Sequence, residues 1–489
     1  MTIARHEVVV IGAGFAGLAL AHHLALSGID DVVIFERDDG VGGTWRANTY
    51  PGAACDVPSH LYSLSFAPKA DWSRSYASQP EILAYLEHCY DRLDVRRKVR
   101  LATAVVAATW LEDLACWRIR TAAGDEHEAR VLVSAVGMFH TPAVPAIDGL
   151  DDFAGTSFHS ARWDHSHDLT GRRVAVIGTG ASAIQVVPAV APDTEHVDLY
   201  QRTPAWILPR KDEAFSDEQK QRFADDPAAA RALRQELYDQ FESATTFVHG
   251  DPVGALIADI ARGYLERKVP DPGLRARLTP DYPLGCKRTL ISSAFYPAVQ
   301  RDDVILVTDH IERITATGIR TVDGTERPCD TLVLCTGFRA SDYLLGIDVR
   351  GRSGRSLHDH WGGVPRAYLG MAVPGFPNLF MAYGPNTNQG GNSILVILEA
   401  QARYIAEVLD TMHARQATTV EVRPEAMDRY VEDLQRSLAD TVWSDGCDSY
   451  FRTSDGDVVT QLPHSAGWYC ERTSQVDLDD LDLGGDVAR

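Results

Sequence analysis

The stretch that decides the fold reads Gly12-Ala13-Gly14-Phe15-Ala16-Gly17, and the chain repeats it in altered form as Gly178-Thr179-Gly180-Ala181-Ser182-Ala183. An apolar run precedes each copy, Val8 to Ile11 in the first and Val174 to Ile177 in the second. Nineteen residues beyond the last position of each copy stands a charge, Glu36 in the first and Arg202 in the second. Strand, glycine turn and helix in this order form the phosphate-binding half of a dinucleotide fold. The first glycine permits the tight turn, the second lets backbone approach a pyrophosphate, and the third lets helix pack on strand. An acid at the end of the next strand accepts hydrogen bonds from a ribose 2′-hydroxyl, whereas a base pairs with a 2′-phosphate. The doubled motif therefore implies two different dinucleotides in one chain, the second of them NADP.

Working outward, apolar runs predict strands at 7–12, 31–37, 130–137, 172–178, 196–202, 304–308 and 330–336, with helices after both glycine turns. Strands alternating with helices predict an α/β protein with parallel sheets, here two Rossmann-like domains. Between 209 and 283 the pattern changes. Residues 217–247 are rich in Ala, Glu, Gln, Arg and Leu and predict helix broken near Pro227. The expected organisation is a first nucleotide domain over 1–150, a second over 151–212, a helical insertion over 213–284, the rest of the second domain over 285–342, and a return to the first over 343–489. After Glu36, the turn Gly40-Val41-Gly42-Gly43-Thr44-Trp45 lets a bulky ligand continue past the adenosine, which favours FAD in the first fold. The run from Gly384 through Asn386 to Ser393 opens a strong helix predicted over 393–410 and offers a site for a polar ring edge or an anion.

Composition narrows the class. A chain of 489 residues with 45% hydrophobic and 24% charged residues has the make-up of a globular enzyme of several domains. A formal charge of −21 opposes binding to nucleic acid, although much of it, including the acidic stretch 477–486, is solvated surface. Eight scattered cysteines (Cys55, Cys89, Cys116, Cys286, Cys329, Cys335, Cys447, Cys470) form no C-x-x-C pair. This reads as no metal site, no disulfide framework and a cytoplasmic setting. The apolar start is broken by glycines and by His22 and His23, so it is expected as strand, turn and helix rather than a leader, and no membrane span is expected.

Two longer stretches carry a family resemblance. Phe153-Ala154-Gly155-Thr156-Ser157-Phe158-His159-Ser160-Ala161-Arg162-Trp163-Asp164 fits F-x-G-x-x-x-H-x-x-x-W-(P/D) at every fixed position. Gly42, Gly43, Trp45, Tyr50, Pro51, Gly52 and Asp56 fit a second signature, (A/G)-G-x-W-x4-(F/Y)-P-(G/M)-x3-D. Together they resemble the type I Baeyer–Villiger monooxygenases, and the likeness runs from Val8 to about Trp468. The resemblance implies an FAD- and NADPH-dependent monooxygenase that inserts one atom of dioxygen beside a ketone carbonyl, giving an ester or lactone through a flavin 4a-peroxide. It implies FAD on Gly12, Gly14, Gly17 and Glu36, with Gly43, Thr44 and Trp45 beside the ring portion. It implies Arg288 as the active-site arginine, oriented by Asp56. Lys287 and Arg202 would grip the 2′-phosphate, with Gly178, Gly180 and Ser182 on the pyrophosphate, Thr179 and Gln185 nearby, and Thr203 following. Asn386 would lie near the flavin, and His159, with Trp163 and Asp164, would serve as a conformational linker. The expected cofactor-binding set is completed by Phe15, Ala16, Arg37, Tyr62, Ala181, Thr336 and Gly337.

Two departures bear on the substrate pocket. Many relatives have histidine where Gly391 stands, and Ser-Trp-Tyr where this chain has Ser449-Tyr450-Phe451. The alternative reading is an S- or N-oxygenating flavin monooxygenase, a type that typically lacks the Trp163-Asp164 ending. A pyridine-nucleotide:disulfide reductase would need a redox cysteine pair, and Cys55 stands alone beside Asp56. A catalytically silent flavoprotein is opposed by both signatures being intact. Hinges are expected at the helical insertion and the His159 linker, and the assembly is expected to be a monomer or small homo-oligomer.

Overall fold

A computed structural model describes residues 3–244, 247–446 and 448–485. Cys447 and the last residue of the acidic stretch, Asp486, lie outside the described residues. The first strand, Ala4–Ile11, ends in four buried apolar residues, and Val32–Phe35 is buried throughout. Such continuous apolar runs suit strands covered on both faces. They pair in parallel, Val8 with Val32 through Ile11 with Phe35, while Glu126–Ser134 pairs in parallel on the other side. Phe15–Leu26 crosses over between them and packs on the long helix Ile394–Ala414. Leu18, Leu20 and Leu24 of the crossover helix are completely buried. Each contributes about 1.5–3 kcal/mol of hydrophobic stabilisation.

The second sheet repeats the plan in the order Val304–Val307, His196–Tyr200, Arg173–Ile177, Thr331–Leu334, Thr156–His159, all parallel. The predicted strands therefore stand where expected. The first sheet departs from the expected parallel pairing. Val105–Leu111 and Cys116–Thr121 form a hairpin, and Cys116–Thr121 pairs antiparallel with Glu126–Ser134. A hairpin needs only a short local turn, so it can join a parallel sheet at its edge without a crossover helix.

The helical insertion divides between the two domains. Asp217–Asp225 and Pro227–Ser243 break at Asp226-Pro227, where the ring of Pro227 begins a new helix. Arg234 of the second helix donates to the carbonyl oxygens of His60, Leu61 and Ser63, and Glu242 accepts from Asn392 Nδ2 at 2.8 Å and the Gly467 amide at 2.7 Å. These partners all belong to the first domain. Pro252–Lys268 packs instead on the second, where the Tyr264 hydroxyl donates to the Ser292 carbonyl at 3.0 Å and Leu265 joins the core.

Among the described residues, Cys55, Cys89, Cys116, Cys329, Cys335 and Cys470 are free and Cys286 is disulfide-bonded, a single bridge rather than a disulfide framework. Sequence spacing cannot show which thiols a fold brings together. Among the described residues no helix is long and apolar enough to cross a membrane, and no cluster of His, Cys, Asp and Glu could hold a metal.

Candidate active site

One cavity of about 1170 Å³ runs between the two nucleotide folds and is lined by residues of both glycine turns. The turns have the same geometry. Gly12 and Gly178 both adopt φ +111°, a conformation L side chains rarely take. A Cβ at Gly12 would stand 2.5 Å from the Ala135 carbonyl oxygen, and one at Gly178 would stand 2.4 Å from that of Cys335. In each fold the strand beside the turn thus comes too close for a side chain. Gly17 does not line the cavity. A Cβ there would meet the Gly12 carbonyl oxygen at 2.2 Å, which is the close helix–strand packing its position predicts. Around Gly180 the space is open, so its backbone presents a bare edge to the cavity.

The charges at the two strand ends differ in setting. Glu36 is 6% exposed and accepts from the Ala13 amide at 2.7 Å and the Asp38 amide at 2.9 Å. Burial raises its carboxyl pKa, against the pull of those two amides. Arg202 is an exposed side chain at the cavity mouth. Lys287 lines the same mouth, its Nζ 3.4 Å from Thr203 Oγ1, and burial lowers its pKa. Thr179 donates to the Thr203 carbonyl at 3.0 Å and ties the second glycine turn to the strand end.

Where the walls of the two folds meet, Arg288 faces Asp56. Its Nε and Nη2 both donate to Asp56 Oδ2, at 3.1 and 2.5 Å. The Asp56 charge raises the guanidinium pKa above its already high value, while burial opposes it. Asp56 belongs to the segment beginning at Gly42, where Trp45 Nε1 donates to the Tyr62 hydroxyl at 3.0 Å and Phe15 packs edge-on to Tyr62. Thr44, Trp45, Gly43, Tyr62, Phe15, Ala16 and Arg37 all line the cavity, as do Ala181, Ser182, Thr336 and Gly337. Cys55 is buried, and burial and the adjacent Asp56 push its thiol pKa up, so it stays protonated.

The remaining expected residues make protein contacts of their own. Asn386 does not line the cavity; its side-chain amide donates to the carbonyl oxygens of Val458 and Gln461 and staples the C-terminal segment. Gln185 lines the cavity, but its side chain joins the domains, donating to the Ala54 carbonyl and accepting from the Tyr50 hydroxyl. His159, Trp163 and Asp164 also stand off the cavity. His159 Nδ1 accepts from the Ala161 amide, Trp163 packs edge-on to Phe158, and Asp164 accepts from the Ser166 amide and hydroxyl. Next to this segment, His165 Nε2 meets Thr49 Oγ1 at 2.7 Å and so reaches the first domain.

The sequence reading missed Tyr383, Asn388 and Gln389. Tyr383 adopts φ +63°, uncommon for an aromatic residue. Its amide donates to Gln401 Oε1 and its hydroxyl to Asn388 Oδ1, which hold it in the wall. Only the glycine-rich run at 384–393 hinted at this side. Tyr450, on the C-terminal segment, lies close enough to Arg288 that the guanidinium opposes the rise in its pKa that burial causes.

The cavity fits two dinucleotides. Glycine turns at both ends leave backbone edges open, and an acid ends one fold while bases end the other. Gln389 Oε1 is buried on the wall with no hydrogen-bond partner among the described residues, an acceptor that a ligand N–H would satisfy.

Comparison with known proteins agrees with this geometry. Residues 9–225 match a family described as pyridine nucleotide-disulphide oxidoreductase. A Baeyer–Villiger monooxygenase of Pseudomonas aeruginosa is 45% identical over 92% of this chain and 86% of its own length. The solved structure of cyclohexanone monooxygenase from Rhodococcus sp. Phi1 bound to NADP+ superposes with a TM-score of 0.89 at 31% identity, covering 99% of this chain and 100% of that one. The structure of OTEMO with FAD and NADP gives 0.89 at 28% identity, with the same coverage.

Proposed function

The chain belongs to the Baeyer–Villiger monooxygenases, and from that premise we propose which of its residues carry the reaction. The enzyme depends on FAD and NADPH and inserts oxygen beside the carbonyl of a small-molecule substrate. FAD, when bound, supplies the redox chemistry, taking hydride from NADPH and activating dioxygen. In our reading Gly12, Gly14 and Glu36 hold its adenosine diphosphate half, and Thr44, Trp45 and Tyr62 border the rest. Gly178, Gly180 and Ser182 receive the NADPH pyrophosphate, and Arg202 and Lys287 its 2′-phosphate.

The observation that carries the catalytic assignment is the Arg288–Asp56 pair at the meeting of the two walls. Oxygen insertion develops negative charge on the attacking oxygen and then on the carbonyl oxygen. A fixed cation stabilises both, and such preorganised electrostatics usually dominate catalysis. Arg288 stays protonated at any working pH. Asp56 holds its Nε and Nη2 edge and so fixes the direction of the guanidinium in the wall. Tyr383 and Tyr450 border the same space and shape what can enter.

We take a ketone as the substrate and an ester or lactone as the product, in a cytoplasmic monomer or small homo-oligomer. Cell fractionation and sedimentation velocity test the setting. The decisive experiment measures NADPH consumption and products over linear, cyclic and aryl ketones plus a thioether. Esters or lactones are expected; sulfoxide alone would support the S-oxygenating reading. Arg288→Ala should retain FAD and lose oxygen insertion by about 10²–10³-fold, as removal of one oxyanion donor does.

A further inference from the structure

The cations at the end of the second fold have an anionic neighbour from within the chain. Arg202 Nη2 lies 3.2 Å from an Asp448 carboxylate oxygen, and both side chains are largely exposed, at 74% and 81%. Lys287 stands on the same wall. Its ammonium lies 5.1 Å from the centre of the Tyr282 ring, and it is felt by both Asp448 and Arg202. Asp448, Arg202 and Lys287 all line the mouth of the cavity. One carboxylate thus faces the two cations assigned to the coenzyme 2′-phosphate.

We propose that Asp448 sets coenzyme selectivity: its carboxylate competes with the 2′-phosphate of NADP(H) for Arg202 and Lys287. The inference rests on reading those two residues as the 2′-phosphate clamp. An exposed ion pair is weak, so a phosphate of nearly two charges displaces the carboxylate. The displaced carboxylate then remains a like charge on a short tether and weakens phosphate binding. A coenzyme with a free 2′-hydroxyl leaves the Arg202–Asp448 pair intact and meets no such repulsion. Asp448 therefore narrows the advantage of NADP(H) over NAD(H), opposing the two cations that create it. Its position explains why an acid is tolerated in a basic subsite: it is exposed and stands at the rim of the cavity.

The test is equilibrium titration of the FAD-loaded enzyme with NADP+ and with NAD+, followed by the flavin absorbance change. Wild type, Asp448→Asn, Arg202→Ala and the double variant are compared. Asp448→Asn should tighten NADP+ binding about 3–10-fold and leave NAD+ within about twofold. In the Arg202→Ala background the same substitution should tighten NADP+ by less than about twofold. Unchanged or weaker NADP+ binding by Asp448→Asn, or equal tightening of both coenzymes, overturns the proposal. So does a full gain that persists without Arg202. Arg202→Ala binding NADP+ as tightly as wild type overturns the clamp reading itself, whatever Asp448 does.

Discussion

The two nucleotide-binding folds share a backbone and differ in what ends their second strand. Gly12 and Gly178 have the same φ, and each presses against the carbonyl oxygen of a neighbouring strand, Ala135 or Cys335. Glu36, however, is buried with both carboxylate oxygens accepting backbone amides, whereas Arg202 projects into solvent and pairs with an exposed carboxylate from a distant segment. A rigid, desolvated anion suits a ligand that stays; an exposed cation, held weakly, suits one that exchanges each turnover. The third motif position differs too. Gly17 allows no Cβ against the Gly12 carbonyl, while the second fold places Ala183 there and keeps it fully buried.

This contrast can be broken in order of expected effect. Gly12→Ala faces both the positive φ, which costs about 1–3 kcal/mol, and a carbonyl at 2.5 Å. It should yield protein with little FAD, read as flavin absorbance per chain after gel filtration. Gly178→Ala meets the same strain but should keep FAD and lose coenzyme binding; loss of FAD from both variants equally would erase the distinction between the folds. Glu36→Gln should weaken FAD about 10–100-fold, because a charged acceptor of backbone amides contributes about 1.5–3 kcal/mol. Measured by flavin release on dilution, an unchanged affinity would show that the buried carboxylate does not hold the ligand. Arg202→Ala should lower kcat/KM for NADPH about tenfold and leave NADH unchanged, so that the preference falls by that factor. Gln185→Ala should have the smallest effect, a loss of thermal stability of about 1 kcal/mol with coenzyme affinity retained, since its side chain joins the domains rather than lining a phosphate.

Much of the fold was legible because its signals are local. A strand, a glycine turn and a helix recur within thirty residues, and every predicted strand appears within a few residues of its expected limits. The antiparallel hairpin at 105–121 was not read, because hairpin pairing alters no periodicity in the chain. The helical insertion was read as one unit, but its polar anchors, Arg234 and Glu242, find partners more than 100 residues away in the first domain. Asn386, expected near the flavin, donates its side-chain amide to the carbonyl oxygens of Val458 and Gln461. An asparagine in a polar run cannot announce which side its amide will turn to.

Beyond the family resemblance, which singled out Lys287, Arg288 and Asp56, the sequence by itself determined that two dinucleotides are held and which fold carries an acid and which a base. These follow from spacing along one stretch of chain. Tertiary structure decided that Arg288 and Asp56, 232 residues apart, share two hydrogen bonds, that Tyr383 lines the cavity at a left-handed φ, and that Asp448 faces Arg202. Contacts between distant segments depend on how domains pack, and packing is set by the summed burial of many residues rather than by any motif.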